Sequence, residues 1–341
     1  MSTEALGRTA YSSLGARRKE VLLGPGVGLD NAVVSVGERV MILTTDPISM
    51  VPMIGPKMSA WLSVQVIASD FCTSGASPQY ASFVFNFPPG ATGKEREAYL
   101  VGIGSACKEL NVSIVAGHTG SYPGSTFTVI GSGTMFGLAE RENFVDPSMA
   151  KPGDALVMTK GAGIEATAYL ANSFPNYVRG AIGEELYARA KGLLPQCTTV
   201  SDAIVASSVG LRGKGVTSMH DATEGGVLGA LCEMASASGH SILVDKAQIL
   251  IEPEVEATCS AFGIDPLVSL SEGTLLITVN PAKLASLLEN LDRKGIAAQR
   301  IGEVREGRGL ILRSEKSEGH FKPGPDPYWR AYTNAVVRKL T

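Results

Sequence analysis

The chain has 341 residues, 44% hydrophobic and 18% charged, with a formal net charge of −3 at pH 7. That composition argues against long disorder, and the dispersed lysines and arginines leave no electrostatic footprint for nucleic acid. The length predicts two domains. No uninterrupted apolar run reaches the ~18–20 residues that span a bilayer. Met1 to Arg18 lacks an apolar core followed by a small-residue cleavage site, so we expect a cytoplasmic protein with no membrane or nucleic-acid partner. Five widely spaced cysteines, Cys72, Cys107, Cys197, Cys232 and Cys259, form no C-x-x-C pair, which argues against a disulfide framework and a zinc site.

In chain order, Val33 to Val36 and Arg39 to Thr45 read as strands paired around Gly37-Glu38. Met58 to Cys72 has helical apolar spacing, and Gln79 to Phe87 is a strand that ends at Pro88-Pro89-Gly90. Thr92 to Leu110 is a helix, with Thr92 as N-cap and Glu95 three residues on, the spacing of a capping box. Ser113 to Ala116 and Phe127 to Leu138 complete the strands of the first half. Asn143 to Asp154 breaks regular structure at two prolines and predicts the domain boundary. In the second half, helices are expected at Ile164 to Asn172, Gly183 to Leu194, Ser201 to Leu211, Gly225 to Ser238, Pro253 to Phe262 and Pro281 to Lys294. Strands are expected at Ala155 to Thr159, Ser241 to Val244, Thr274 to Val279, Ala298 to Val304 and Leu310 to Leu312. Both halves thus have α/β or α+β texture.

Four short segments in the first 120 residues set a carboxylate or hydroxyl beside a predicted turn: Gly24 to Asn31, Thr44-Thr45-Asp46-Pro47, Ala68-Ser69-Asp70 and Gly117-His118-Thr119-Gly120. Hard oxygen ligands from several loops suit Mg²⁺ held together with nucleotide phosphates. Glycine turns let backbone N–H groups approach phosphate. The Gly24 to Gly28 run lacks the Lys-Ser/Thr ending of a Walker A loop, and a structural turn is its alternative. Asp46 fits either a metal ligand at a sheet edge or a strand terminus bonding nearby backbone. Asp70 lies within the apolar stretch Val64 to Phe71, where an unpaired carboxylate is costly and wants a metal or a cation. His118 alone reads as a structural histidine. Met219 to Val227 sets His220, Asp221 and Glu224 before a Gly-Gly helix start, which fits an anion or proton-transfer site or a capped helix. Ser271-Glu272-Gly273 reads as a turn.

Taken in order, these segments resemble the aminoimidazole ribonucleotide synthetase-like superfamily, which includes PurM, the thiamine-monophosphate kinase ThiL, selenophosphate synthetase and HypE. The resemblance runs from about Leu22 to about Val304. The second half is most similar to HypE, through His220-Asp221-Ala222-Thr223-Glu224-Gly225-Gly226, Phe262 to Leu267 and Glu272-Gly273. The resemblance implies a two-domain PurM-like architecture. Residues 1–147 would form an N-terminal ATP/Mg²⁺-binding domain that closes a shared β-barrel with its twin in a homodimer, and residues 148–341 a C-terminal α/β domain. It further implies Asp30, Asp46 and Asp70 as metal ligands with Thr45 assisting, Gly26 and Gly28 at phosphate, and Asn31, Thr44, Thr45, His118 and Thr119 at the nucleotide. Asp221 would work near the acceptor.

The implied activity is HypE-like, ATP- and Mg²⁺-dependent activation of an amide, carbonyl or phosphate oxygen by phosphoryl transfer. A thiamine-monophosphate kinase and a non-catalytic nucleotide-binding module are the alternatives. Two departures from the pattern stand out. Gly117-His118-Thr119 takes the place of a common Gly-Asp-Thr, and HypE works through a C-terminal cysteine whereas the last cysteine here is Cys259. We therefore expect no thiocyanate carrier among these cysteines.

Overall fold

A computed structural model of the chain describes residue 11, residues 13–315 and residues 317–341. The reading of Met1 to Arg18 as lacking a secretory signal lies, for residues 1–10 and 12, outside the described residues. Among the described residues, no helix is long and apolar enough to cross a membrane.

The first half contains β1 (Val21–Leu23), β2 (Ala32–Val36), β3 (Arg39–Ser49), α1 (Gly55–Thr73), β4 (Tyr80–Phe87), α2 (Gly93–Glu109), β5 (Ser113–Ser121) and β6 (Val129–Glu140). The strands form one sheet in the order β1-β2-β3-β6-β4-β5, in which only the outermost pair, β4 and β5, runs parallel. Strand alternation decides which face is covered: Ala81, Phe83, Phe85 and Phe87 are buried while Tyr80 and Val84 are exposed. On the covered face Tyr99 of α2 sets its ring edge against Phe85 and Phe87 at centroid distances of 6.2 and 6.1 Å. Its hydroxyl lies 3.0 Å from Ser63 Oγ of α1. The predicted capping box is present, with Thr92 accepting from Glu95 N and Glu95 accepting from Thr92 N.

The second half contains β7 (Ala155–Thr159), α3 (Ile164–Ser173), α4 (Pro175–Ile182), α5 (Glu184–Lys191), α6 (Val200–Ser207), β8 (Val216–Ala222), α7 (Gly226–Ser238), β9 (Ser241–Asp245), α8 (Pro253–Phe262), β10 (Thr274–Val279), α9 (Leu284–Arg293), β11 (Ala298–Arg305), β12 (Gly309–Ser314), β13 (Ser317–His320) and α10 (Tyr328–Val337). Its sheet has the order β13-β12-β9-β11-β7-β10-β8. Every residue of β7, β8 and β10 is buried, as expected of strands covered on both faces. β8 lies at the end of this sheet but does not face solvent. One apolar cluster joins Val216 and Met219 of β8 to Ile67, Ala68 and Phe71 of α1 and to Ala203 and Ala206 of α6. The two halves meet there.

The structure corrects several expectations. The Thr44 to Pro47 segment is not a turn, because β3 continues to Ser49 and pairs Asp46 with Gly133 and Pro47 with Ser132. Pro47 is tolerated because β2 pairs with β3 only as far as Leu43, so its missing N–H falls on an unpaired edge. Gly117 to Gly120 is likewise strand, in register with Phe83 to Asn86. Met219 to Ala222 belongs to β8 rather than to a loop. Helices α4 and α10 and strands β1 and β13 were not foreseen, and the Ser201 to Leu211 helix ends at Ser207.

Candidate functional site

The site is built where the turn before β2, the β3 strand, α1 and β8 converge. Gly28, with φ +70°, closes that turn against α7, where a Cβ would stand 2.7 Å from the Glu233 carbonyl oxygen. Two residues later, the Asp30 carboxylate meets β8: its Oδ1 lies 2.7 Å from His220 Nδ1, and the two side chains are 8% and 6% exposed. The other ring nitrogen, Nε2, lies 3.1 Å from Glu233 Oε2 on α7. His220 thus bridges two carboxylates, Asp30 foremost, and they hold it protonated well above the usual histidine range despite the opposing effect of burial.

Asp221 follows on β8, only 2% exposed. Its Oδ2 has no hydrogen-bond partner among the described residues. Burial first, then the Asp30 charge, pushes this carboxyl up to about 7, against the favourable pull of His220. Alternation places Thr44 and Asp46 on the same face of β3. Thr44 Oγ1 lies 3.3 Å from Asp70 Oδ2 of α1. Asp70 is pushed well above the carboxylate range, chiefly by burial, then by Asp221, by a hydrogen bond shared with Asp46, and by Asp30. Among the described residues no lysine or arginine pairs with Asp46, Asp70 or Asp221, and the cation nearest Asp30 is His220. Four acids gathered with one imidazole and one unpartnered buried oxygen are a donor set that fits a divalent cation. Asp30, His220 and Asp221 each offer a ligand atom within 4.8 Å of the others.

The remaining predicted residues separate into those near the cluster and those away from it. Asn31 Nδ2 donates to the Asp70 carbonyl at 2.8 Å and to Thr73 Oγ1 at 2.9 Å, so it anchors β2 on the C-terminal end of α1. Thr45 points to the opposite face of β3 from Asp46 and bonds to Gly133 O and Thr134 Oγ1. His118 and Thr119 sit on β5, exposed, with β6 and β4 between β5 and β3. His118 Nε2 lies 2.6 Å from the Tyr122 hydroxyl. Within one chain these three residues do not join the acids. A Cβ at Gly26 would meet the Leu29 side chain, so this glycine also has a packing role.

Sequence reading missed His220 as a partner of Asp30, and it missed a second pair of acids. Glu272 is 2% exposed and neither of its carboxylate oxygens has a partner among the described residues. Burial, then Asp221 and Glu165, raises its carboxyl well above the usual range, against the pull of the Ser69 hydroxyl, which is too poorly placed to make a regular hydrogen bond, and of Lys160. Glu165, at the start of α3, accepts a hydrogen bond from the Glu272 backbone N at 3.1 Å, and burial pushes it up to about 7. The positive φ of Gly273 and its lack of room for a Cβ against Gln196 show why this turn is held so tightly. Glycine beside an acid was its signal.

Residues 28–139 match the description "AIR synthase related protein, N-terminal domain" and residues 151–315 match "AIR synthase related protein, C-terminal domain". The chain belongs to the AIR synthase-related family. It is 28% identical over 286 residues to carbamoyl dehydratase HypE of Rhizobium leguminosarum bv. viciae, covering 81% of this chain and 77% of that protein. A chain from a crystal structure of a HypE–HypF complex superposes with a TM-score of 0.73 at 20% identity, over 94% of this chain and 100% of that one. The hydrogenase maturation protein HypE in complex with ATP gives 0.69 at 20% identity, over 92% and 90%. This AIR synthase-related chain therefore has the two-domain PurM-like fold, and its acidic cluster lies between the two halves.

Proposed function

We propose that this protein binds ATP with Mg²⁺ at the Asp30–Asp46–Asp70–Asp221 cluster and transfers the γ-phosphoryl group to an oxygen of an amide, carbonyl or phosphate acceptor. The carrying observation is Asp70, a half-buried acid within electrostatic reach of Asp30, Asp46 and Asp221, with no lysine or arginine paired to it among the described residues. Such a group needs a cation, and the family's relatives include a protein named for carbamoyl dehydration and one described in complex with ATP. Asp30, Asp46 and Asp70 would hold Mg²⁺, with Thr44 orienting Asp70. Bound there, the ion would neutralise phosphate charge. The acceptor oxygen attacks the γ-phosphorus, the bond to the β–γ bridging oxygen breaks and ADP leaves. Asp221 is placed to take the acceptor's proton or to orient it. Positioning and charge neutralisation are the protein's main contributions to such a transfer.

Calorimetric titration with Mg·ATP tests this reading. The wild-type chain should bind stoichiometrically. Asp70→Asn should bind at least about tenfold more weakly with an unchanged circular dichroism spectrum, and equal binding by the two would remove Asp70 from the site. We further propose a homodimer, because the open face and edge of the first sheet leave Tyr80, Val84, Ile114, Val115 and Val129 exposed beside the unpaired edge of β5. Light scattering should find a dimer at micromolar concentration. A stable monomer would refute the pairing.

A further inference from the structure

We propose that Asp326 is a positioning residue, one carboxylate that caps two helices at once and so holds the loop after Asp221 in place. The inference rests on the role proposed above for Asp221 and concerns residues 321–341, which lie beyond the family-matched residues. Asp326 Oδ1 accepts from Tyr328 N at 2.8 Å, at the start of α10, and Asp326 Oδ2 accepts from Gly225 N at 2.9 Å, at the start of α7. Helix α7 needs such a partner. Its N-cap position is Gly225, at φ +84°, which has no side chain to satisfy the orphan N–H groups of the first turn. A negative charge set between two helix N-termini is also favoured by both macrodipoles.

The tether reaches the proposed chemistry through short connections. Gly225 follows Asp221 by four positions, and beside it Glu224 Oε1 accepts from Trp329 Nε1 at 2.8 Å. Two consecutive loop residues are thus gripped from one C-terminal segment. On the other side, Ser271 N donates to Thr223 O at 3.2 Å, which joins this loop to the turn of Glu272. Leu270 of that turn packs in one apolar cluster with Tyr328 and Ala335 of α10. Burial raises the Asp326 carboxyl, the N–H groups of Gly225 and Tyr328 hold it down, and the Leu270 N–H acts in the same direction. The segment is itself anchored. Thr341 O accepts from Tyr177 N at 2.6 Å, and Pro323, Pro325 and Pro327 restrict the backbone that leads into α10.

The test is hydrogen exchange, read by mass spectrometry on the full chain without nucleotide. Asp326→Ala should speed exchange about tenfold in peptides covering residues 222–228 and 268–273, and leave Tyr80 to Phe87 unchanged. Asp326→Asn keeps one acceptor oxygen for two donors and the volume of the native side chain, so it should fall between the alanine variant and wild type. Unchanged exchange in those two regions, or loss of protection throughout the chain in both variants, would overturn the proposal. ATP hydrolysis, with water as the acceptor, gives a second readout. Asp30, Asp46 and Asp70 are the proposed Mg·ATP ligands and Asp221 the group at the acceptor. Asp326→Ala should therefore lower kcat about tenfold while KM for Mg·ATP stays within about twofold. An unchanged kcat, or a rise in KM alone, would refute the positioning role. Absence of Mg·ATP binding by the wild-type chain would instead sink the phosphoryl-transfer reading, and exchange by itself then decides whether Asp326 holds the two loops.

Discussion

Gly28 and Glu233 touch with no room to spare: a Cβ on Gly28 would stand 2.7 Å from the Glu233 carbonyl oxygen, at a backbone φ of +70°. Two penalties then fall on one substitution, the left-handed conformation for a non-glycine residue and overpacking against a helix backbone that cannot rotate away. Gly28→Ala should lose about 2–4 kcal/mol of stability. Because the same turn places Asp30 against His220, the variant should also lose affinity for Mg·ATP at temperatures where it remains folded. Chemical denaturation and calorimetry together check this. A variant as stable as wild type would show that the turn can move off α7.

Glu165 predicts a stability profile that falls as pH rises. Burial pushes its folded-state carboxyl up to about 7 from 4.5, with Asp326 and Glu224 adding to the rise and the Glu272 N–H opposing it. Below about pH 4.5 the folded and unfolded chains both hold this proton. Between about 4.5 and 7 the folded chain keeps a proton the unfolded chain has released, so stability declines through that window and stays lower above it. Glu165→Gln, which mimics the protonated acid, should be about 1–3 kcal/mol more stable than wild type at pH 8 and nearly equal to it at pH 4.5. Urea unfolding at the two pH values gives the answer, and an equal difference at both would exclude the titration as its cause.

The thiols should be inert. Cys72, Cys107, Cys197 and Cys259 are buried and Cys232 is partly covered. Burial pushes Cys72 and Cys259 up to about 12 and Cys107 and Cys232 up to about 11, and it raises Cys197 as well. Little thiolate exists at neutral pH in such surroundings. A disulfide reagent at pH 7.5 should modify the native chain slowly, at Cys232, and all five thiols only after denaturation. Incubation with a carbamoyl donor, its transferase and ATP should add no cyano group to any of the five. An ATP-dependent mass gain of that size on one of them would restore a thiocyanate-carrier role.

Local signals in the sequence carried much of the fold. The alternation in Tyr80 to Phe87, the capping box at Thr92 and Glu95, and the buried runs Ala155 to Thr159 and Thr274 to Val279 each correspond to an element found. Punctuation residues misled where tertiary context outweighed them. Pro47 and the glycines at 117 and 120 imply turns, yet they lie within long strands because their unpaired or crowded sides fall where the sheet allows it. Of the acids now found together, Asp70 stood out in the sequence as a carboxylate inside an apolar stretch, and Asp30, Asp46 and Asp221 only as acids beside expected turns or helix starts. The roles of His220 and Glu233 were not legible, since Asp30 and His220 are separated by 190 positions and no local pattern records a contact of that range. Glu272 was hidden for a similar reason: only the packing of Gly273 and α3 around it buries an ordinary Ser-Glu-Gly turn.

The bond between Asp30 and His220 also bears on the order of events in folding. Contacts of such long range close only after large loops have been ordered, and here the sheet that supplies each partner must first exist. Asp30, Asp46 and Asp70 all belong to the first half, whereas Asp221 and His220 join them only as the halves dock, so docking completes the site. A ligand for that site therefore has little to hold in the transition state. It should leave the refolding rate nearly unchanged and act almost wholly by slowing unfolding, which makes bound cation or nucleotide a determinant of the native chain's lifetime rather than a guide to its formation.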